Sequence, residues 1–248
     1  MIRYIIHLAY KGTHYHGWQY QPNAPTVQET LNKAFFTILR QEVNLTGCGR
    51  TDTGVHASQF YAHVDLNSEI SDLEKFVYKI NCILPEDIVI YSIHKAENDF
   101  HARFNAISRT YKYQIARTKN IFNADYCWQL YSDIDLNRMN SATEVLFRHI
   151  DFTSFSKLHT DVKTNNCKIT HAKWTIEKDL LIFTITADRF LRNMVRSIVG
   201  TLIEVGIGKL SVEGFNEVIE KKDRNAAGPS VPAKGLFLYE ILYPHQIL

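Results

Sequence analysis

The feature that most constrains the fold of this 248-residue chain is its alternation between two hydrophobic periods. Apolar or aromatic side chains stand at every second position from Tyr4 to Tyr10, which predicts a half-buried strand. After a turn-rich loop, apolar residues recur every three or four positions over residues 27–39, which predicts an amphipathic helix. Thr26 and Glu29 have the capping-box spacing expected where that helix begins.

The rest of the chain follows the same two patterns. Apolar residues alternate over 60–66, Ser71 and Glu74 have the spacing of a second capping box before a helix, and 88–95 resembles a third strand. In the second half, the pattern predicts strands over 109–116, 169–176, 180–187 and 236–243. It also predicts a helix over 136–147 and a long helix that has an apolar face from Leu191 to Ile203 and stops at Gly206.

These elements predict an α+β fold of two similar halves, each an antiparallel sheet backed by helices. We place the boundary near residue 107, so the halves comprise residues 1–107 and 108–248. No Pro/Gly/Ser-rich linker or low-complexity tract marks this boundary, which indicates that the halves pack closely against each other.

The composition is that of a folded protein without a strong bulk charge. A hydrophobic content of 45% is ample for a buried core, and 28 basic against 26 acidic side chains leave a formal charge of only +2. Any nucleic-acid site must therefore come from local clustering. The four cysteines are too widely separated for a zinc pair or a disulfide scaffold. The sequence shows neither a signal peptide nor an apolar run long enough to span a bilayer. We therefore expect a cytoplasmic protein with no membrane association.

The segment from Gly47 to Gly54 is the most unusual stretch of the sequence. Its glycines allow a sharp turn that presents Arg50 and Asp52 close together, just before a strand. A purely structural interpretation, in which Asp52 caps local amides and Arg50 is solvated, is typical of Gly-rich loops. A phosphate-binding P-loop is excluded, because the Lys-Ser/Thr pair and the helix that follows it are missing.

The triplet Asp52-Thr53-Gly54 also occurs in aspartic proteases, whose chemistry needs two carboxylates that share a proton. No second Asp-Thr-Gly or Asp-Ser-Gly is present, and Arg50 and Thr51 are polar where such proteases have an apolar strand. A homodimer could supply the second carboxylate, so an acid hydrolase stays as one alternative. The other alternative is an RNA-binding module in which Asp52 is structural.

Residues 49–57 match the signature Gly-Arg-Thr-Asp-x-Gly-Val-His-Ala at every fixed position. Further matching motifs occur in order along the chain: Gly17-Trp18-Gln19, Thr26-Val27-Gln28-Glu29, Phe100-His101-Ala102-Arg103-Phe104, Arg109-Thr110-Tyr111-Lys112-Tyr113, Asp151-Phe152-Thr153-Ser154-Phe155, Met194-Val195-Arg196-Ser197-Ile198-Val199-Gly200 and Gly235-Leu236-Phe237-Leu238. In these motifs and their spacing, the chain resembles the tRNA pseudouridine synthase A family.

The resemblance implies two lobes whose sheets join across a central cleft, and a homodimer. It implies that the N-terminal half carries the catalytic Asp loop, while the C-terminal half completes an RNA-binding cleft. The implied reaction converts uridine to pseudouridine in the tRNA anticodon stem-loop, at positions 38, 39 and 40. Nothing is oxidised in this isomerisation, so no cofactor is expected.

The resemblance also implies a role for four residues. Asp52 is the essential carboxylate, and Arg196 is its cationic partner, which keeps it ionised. Tyr111 stacks on the target base, although its period alone is that of an ordinary strand aromatic. Arg50 occupies or stabilises the space that the target uridine leaves when it is drawn out of the stack.

Two basic clusters point to an RNA path. Between His101 and Lys119 the sequence has five basic residues, no acidic one and three interleaved aromatic residues, which suits bases stacked beside phosphates. Arg189, Arg192 and Arg196 share one stripe of the predicted long helix. The weaker RNA-binding predictions are therefore Arg103, Arg109, Lys112, Arg189 and Arg192.

No metal site is predicted. His14, His16 and His63 lack a convincing ligand pattern, and His56 is expected to shape the Asp52 loop. Thr53 replaces the Ala that is more usual after the aspartate in the family that the chain resembles. This change adds a hydroxyl group, and we expect it to leave the catalytic activity in place.

Overall fold

The structure is a computed structural model that describes residues 1–119, 121–157 and 164–244. It divides into two compact units: unit 1 comprises Met1–Ile107 together with the chain from Leu238 onward, and unit 2 comprises Ser108–Phe237. In the described part of the chain, no helix is long and apolar enough to cross a membrane.

Strands and helices are mixed throughout, which confirms the predicted α+β class. In chain order the elements are β1 (Ile2–Tyr10), α1 (Val27–Leu39), β2 (Thr46–Gly47), β3 (His56–Leu66), α2 (Leu73–Ile83), β4 (Ile88–Lys95), β5 (Ser108–Ala116), β6 (Trp128–Gln129), α3 (Leu136–Val145), β7 (Ile169–Glu177), β8 (Leu180–Ala187), α4 (Met194–Gly206), α5 (Val212–Glu220) and β9 (Leu236–Leu242).

In unit 1, β1 pairs antiparallel with β3 on one side and β4 on the other, β2 pairs antiparallel with β3, and β9 is a further neighbour of β3. Tyr4, Ile6 and Leu8 are fully buried, as the period of two predicts, and Ile5 on the opposite face is buried as well. The Thr26 hydroxyl accepts a hydrogen bond from the Glu29 amide, which confirms the predicted start of α1.

Helix α2 begins one residue later than predicted. The cap is Asp72, whose carboxylate accepts a hydrogen bond of 2.9 Å from the Lys75 amide, so the expected capping box of Ser71 and Glu74 is wrong. The sequence pattern does not distinguish Ser71 from Asp72 as the cap residue, because a carboxylate caps a helix as well as a hydroxyl does.

In unit 2, β8 pairs antiparallel with β5 on one side and β7 on the other. The short β6 pairs in parallel with β5, so this sheet is mixed and the prediction of a purely antiparallel one is wrong. The connection between β5 and β6 crosses about a dozen residues, which is long enough for a parallel pair. Helix α5 was not predicted, although its apolar residues Phe215, Val218 and Ile219 share one buried face; it is only nine residues long, and Gly214 in its first turn lowers its helix propensity.

The predicted arginine stripe of the long helix is wrong. Helix α4 begins at Met194, so Arg189 and Arg192 precede it and only Arg196 lies on it. The residue before the helix, Asn193, has a left-handed backbone conformation with φ 67°, which a continuous right-handed helix cannot contain. The apolar period therefore extended the prediction by one turn that the backbone does not form.

Unit 1 contains a buried histidine that should make its stability depend on pH. The His63 ring accepts a hydrogen bond of 3.2 Å from the Ala102 amide through Nδ1, which requires that nitrogen to be unprotonated. Burial, with smaller contributions from Arg3 and His101, lowers the pKa of His63 to about 4.

We therefore expect the folded state to lose stability as the pH falls from about 6.5 to about 4, because the unfolded chain then binds a proton that the folded chain excludes. The loss should approach about 3 kcal/mol at the acid end. Urea unfolding across this range would measure it, and the slope should be shallower in His63→Gln. An equal slope in both proteins would contradict the assignment.

Candidate active site

The Asp52 loop lies between β2 and β3 of unit 1 and turns sharply after the aspartate. The Val55 amide donates a hydrogen bond of 3.1 Å to the Asp52 carbonyl, and the Gly54 amide donates one of 3.2 Å to the Tyr15 carbonyl. The loop is thus tied both to itself and to the connection between β1 and α1. The Asp52 side chain is half-buried, whereas Arg50 and Thr53 are exposed.

Thr51 holds the backbone immediately before the aspartate. Its hydroxyl accepts a hydrogen bond of 3.1 Å from the Trp18 amide and forms a second one, of 2.9 Å, with the Tyr10 hydroxyl. Tyr10 and Trp18 are both buried and pack with Phe60 in an aromatic cluster, in which the Trp18 and Phe60 rings stack at 4.2 Å. Residues in the core of unit 1 therefore hold the backbone next to Asp52 in place.

Close backbone contact fixes the loop from a second side. Gly17 has φ +84°, and a Cβ atom at this position would lie 2.1 Å from the Thr51 carbonyl oxygen. Only glycine satisfies both conditions. The buried His56 ring contributes as well, because its Nδ1 accepts a hydrogen bond of 3.1 Å from the Gly12 amide. A carboxylate on a loop held in this way is preorganised for chemistry or for binding.

A second loop of unit 1, residues 100–105, carries Arg103. Side chains hold its backbone: Arg3 donates to the Phe100 carbonyl, and Tyr243 donates to the Ala102 carbonyl. The exposed end of this loop carries a cation beside an aromatic ring. Phe104 is 74% exposed, and the Arg103 guanidinium lies 5.6 Å from the centroid of the Phe104 ring.

Strand β5 of unit 2 carries Arg109 and Tyr111 on one face and Lys112 on the other, all half-buried. The Tyr111 ring meets Phe190 edge to face at 5.0 Å, while Tyr113, two residues further on, is fully buried. Tyr111 therefore keeps an accessible part that a core aromatic lacks. Arg109 donates a hydrogen bond of 2.8 Å to the Asp188 carbonyl.

Arg196 lies in the first turn of α4 and is half-buried. Its Nε donates a hydrogen bond of 2.7 Å to the Val231 carbonyl, which fixes the plane of the guanidinium. Arg189 and Arg192 lie between β8 and α4; Arg189 is half-buried, and Arg192 is exposed.

The structure thus places Asp52, Arg50 and Arg103 in unit 1, and it groups the other predicted site residues in unit 2 around β5 and the start of α4. The pairing of Asp52 with Arg196 stays a prediction. Among residues 1–119, 121–157 and 164–244, no group of three or more His, Cys, Asp or Glu side chains could hold a metal ion.

Sequence reasoning missed the residues that position the loop. Tyr10 and Trp18 lie more than 30 positions from Thr51, so no local period could reveal their hydrogen bonds to its hydroxyl. Two signals were available for Trp18: the motif Gly17-Trp18-Gln19, and the glycines Gly12 and Gly17, which follow the end of a strand where no tight hairpin forms.

Comparison with known proteins gives the class first. A family model described as tRNA pseudouridine synthase matches residues 6–105 and 149–244, more than half of the chain. The chain therefore belongs to the tRNA pseudouridine synthase family.

Similar proteins place it more finely. The tRNA pseudouridine synthase A of Bacteroides fragilis is 54% identical over 246 residues, which cover 99% of this chain and 98% of the relative. The corresponding protein of Bacteroides thetaiotaomicron is 55% identical over 250 residues, covering 100% and 93%, and that of Clostridium acetobutylicum is 39% identical over 238 residues, covering 95% and 97%. The resemblance to the tRNA pseudouridine synthase A family, and with it the predicted enzyme class, is confirmed.

Proposed function

We propose that this chain isomerises uridine to pseudouridine in the anticodon stem-loop of tRNA, at positions 38, 39 and 40, with Asp52 as the catalytic residue. The observation that carries the proposal is a half-buried carboxylate on a loop that buried residues hold rigidly, in a chain whose whole length matches tRNA pseudouridine synthases A. The enzyme works without a cofactor, as a homodimer, in the cytoplasm where tRNA is found.

The reaction exchanges one bond for another. The bond between C1′ and N1 breaks, the uracil turns, a bond forms between C1′ and C5, and the proton lost from C5 is balanced by one gained at N1. An ionised Asp52 either attacks C1′ or C6 or removes a proton from C2′. Arg196 acts as the cation that keeps the carboxylate charged, and Tyr111 stacks on the base.

The two halves divide the work in this proposal. Residues 1–107 carry the Asp52 loop, and residues 108–248, apart from the C-terminal part from Leu238 onward that groups with unit 1, complete an RNA-binding cleft. Arg50 fills the space that the extruded uridine leaves. The weaker RNA contacts are Arg103, Arg109, Lys112, Arg189 and Arg192. The exposed Arg103 and Phe104 support this path, because a cation beside an open aromatic ring suits a phosphate beside an unstacked base.

Release of tritium from uridine labelled at C5 tests the proposal directly. Purified protein should release tritium from a transcribed tRNA with uridines at 38–40, and mapping of the product should place pseudouridine there. A protein that binds the tRNA but releases no tritium would instead be an RNA-binding module. Peptide cleavage at acidic pH by the dimer would point to the acid hydrolase.

The roles of the arginines can be separated from general phosphate binding. We expect Arg50→Ala and Arg196→Ala to lower turnover on the order of 100-fold, because each removes a group that acts at the reacting nucleotide. Lys119→Ala, a change of an exposed cation, should only weaken binding and reduce the salt dependence of affinity by about one ion. Single-turnover rates at several salt concentrations measure both effects. Equal and purely salt-dependent losses in all three would identify all three as phosphate contacts.

A further inference from the structure

Residues 227–232 form an extended segment, here called the strap, that lies along α4 in unit 2. We propose that Arg224, which holds this strap, is a positioning residue for Arg196. The inference rests on the proposed role of Arg196 in catalysis. The sequence did not suggest this function for Arg224, because Arg224 is distant in sequence from every predicted site residue.

The strap is fitted closely to α4. The Gly228 amide donates a hydrogen bond of 2.9 Å to the hydroxyl of Thr201, which is fully buried. Gly200 lies so near the strap that a Cβ atom there would be 1.8 Å from the Pro229 carbonyl oxygen. The Val231 amide donates to the Arg196 carbonyl at 3.3 Å. Backbone contact of this kind leaves the strap little freedom to shift without moving the helix.

The Val231 carbonyl connects the strap to the arginine side chain. It accepts the hydrogen bond of 2.7 Å from Arg196 Nε. Because the guanidinium is planar and rigid, a fixed Nε–H direction also fixes the directions of its terminal nitrogens, which are the groups that a carboxylate binds. The next peptide is fixed as well, since the Tyr113 hydroxyl donates to the Pro232 carbonyl at 2.8 Å.

Arg224 is the side chain that ties the strap together. Its Nη1 donates to the carbonyls of Ala227 and Gly228 at 3.3 and 3.2 Å, and its Nη2 donates to the Ser230 hydroxyl at 3.0 Å. The same hydroxyl receives a hydrogen bond of 2.5 Å from Asn193, the residue that precedes α4. One half-buried arginine thus spans three acceptors of the strap and shares one of them with the start of the helix that carries Arg196.

A lysine could not replace this arrangement, because its single ammonium group cannot reach three acceptors with the geometry of a guanidinium fork. Loss of Arg224 should let the strap and its Val231 carbonyl shift. The guanidinium of Arg196 would then lose its fixed orientation, and a misplacement of about 1 Å is enough to lower a rate on the order of 100-fold.

A double-mutant cycle tests the inference. Single-turnover rates and KM values for tRNA would be measured for wild type, Arg224→Ala, Arg196→Ala and the double variant, together with the free energy of unfolding of each. We expect Arg224→Ala to lower the rate roughly tenfold or more with KM nearly unchanged, and to lower it no further when Arg196 is already alanine. The loss of stability should be the same in both backgrounds.

Additive loss of rate in the two backgrounds, or loss of stability with no loss of rate, would overturn the positioning role. Wild-type turnover by Arg196→Ala would refute the role assigned to Arg196 and this inference with it, whereas no turnover by the wild type would refute the proposed function, so the two failures are distinguishable. Arg224→Lys and the milder Ser230→Ala keep the test decisive if Arg224→Ala fails to fold: both should lower the rate, and neither should do so beside Arg196→Ala. Arg148→Ala, a change of an exposed arginine in the same unit, is the matched control and should leave the rate unchanged.

Discussion

Asp52→Asn should lower pseudouridine formation on the order of 10⁴-fold or more, because the change removes the negative charge that the proposed reaction requires while keeping the size of the side chain. The loop should stay in place. Its turn depends on the Asp52 carbonyl, which accepts from Val55, and on the Thr51 hydroxyl, which bonds to Tyr10 and Trp18. None of these contacts uses the Asp52 carboxylate.

Tritium release and mapping of pseudouridine would measure the loss, while titration with tRNA and thermal unfolding would show whether binding and fold are retained. The neighbouring Thr53→Ala is the matched control, since it changes an exposed side chain of the same loop. It should retain turnover within about threefold, a change of less than about 1 kcal/mol in the activation barrier. Normal turnover by Asp52→Asn would refute the assignment of the catalytic residue.

Gly17→Ala should damage both stability and activity, although residue 17 lies far from residue 52 in sequence. Alanine at residue 17 would have to adopt a left-handed φ of +84°, and its Cβ would lie 2.1 Å from the Thr51 carbonyl oxygen. Left-handed backbone alone costs an alanine about 1–2 kcal/mol, and relief of the contact must move the backbone next to Asp52. We expect a loss of about 3 kcal/mol of stability and a fall in turnover of roughly 100-fold or more in the protein that stays folded.

Urea unfolding and single-turnover rates would separate these two effects. Gly49→Ala is the control for stability, because a Cβ atom at residue 49 of the same region meets nothing within 4 Å and its φ is not in the left-handed range. Equal unfolding free energies for Gly17→Ala and wild type would show that the contact with Thr51 is easily relieved. Unimpaired turnover would show that the Asp52 loop does not depend on it.

Much of the fold was readable from local pattern. The strands β1, β4, β5, β8 and the helix α1 were predicted within two residues of their ends, because each buries one face at a regular period and α1 has a hydroxyl cap three residues before a glutamate. The errors lie at adjacent cap residues before α2, where two local signals compete, at the left-handed Asn193 before α4, and at α5, which is short and has a glycine in its first turn.

The candidate site divides in the same way. The motif around Asp52 identified the loop, and the aromatic and basic residues of β5 identified a second group of candidates, because residue type and spacing within a few positions carry that information. The contacts that hold these groups were not readable. Thr51 depends on Tyr10 and Trp18, and the orientation of Arg196 depends on the Val231 carbonyl and, through the strap, on Arg224.

The amino-acid sequence by itself determined which elements form, which faces they bury and which short motif carries the candidate chemistry, since these follow from interactions between residues a few positions apart. The tertiary structure alone decided which distant residues hold that motif. Hydrogen bonds such as those of Trp18 to Thr51, or of Arg196 to Val231, join positions 33 and 35 residues apart. Such contacts exist only once the chain has folded back on itself, because no local period or propensity encodes them.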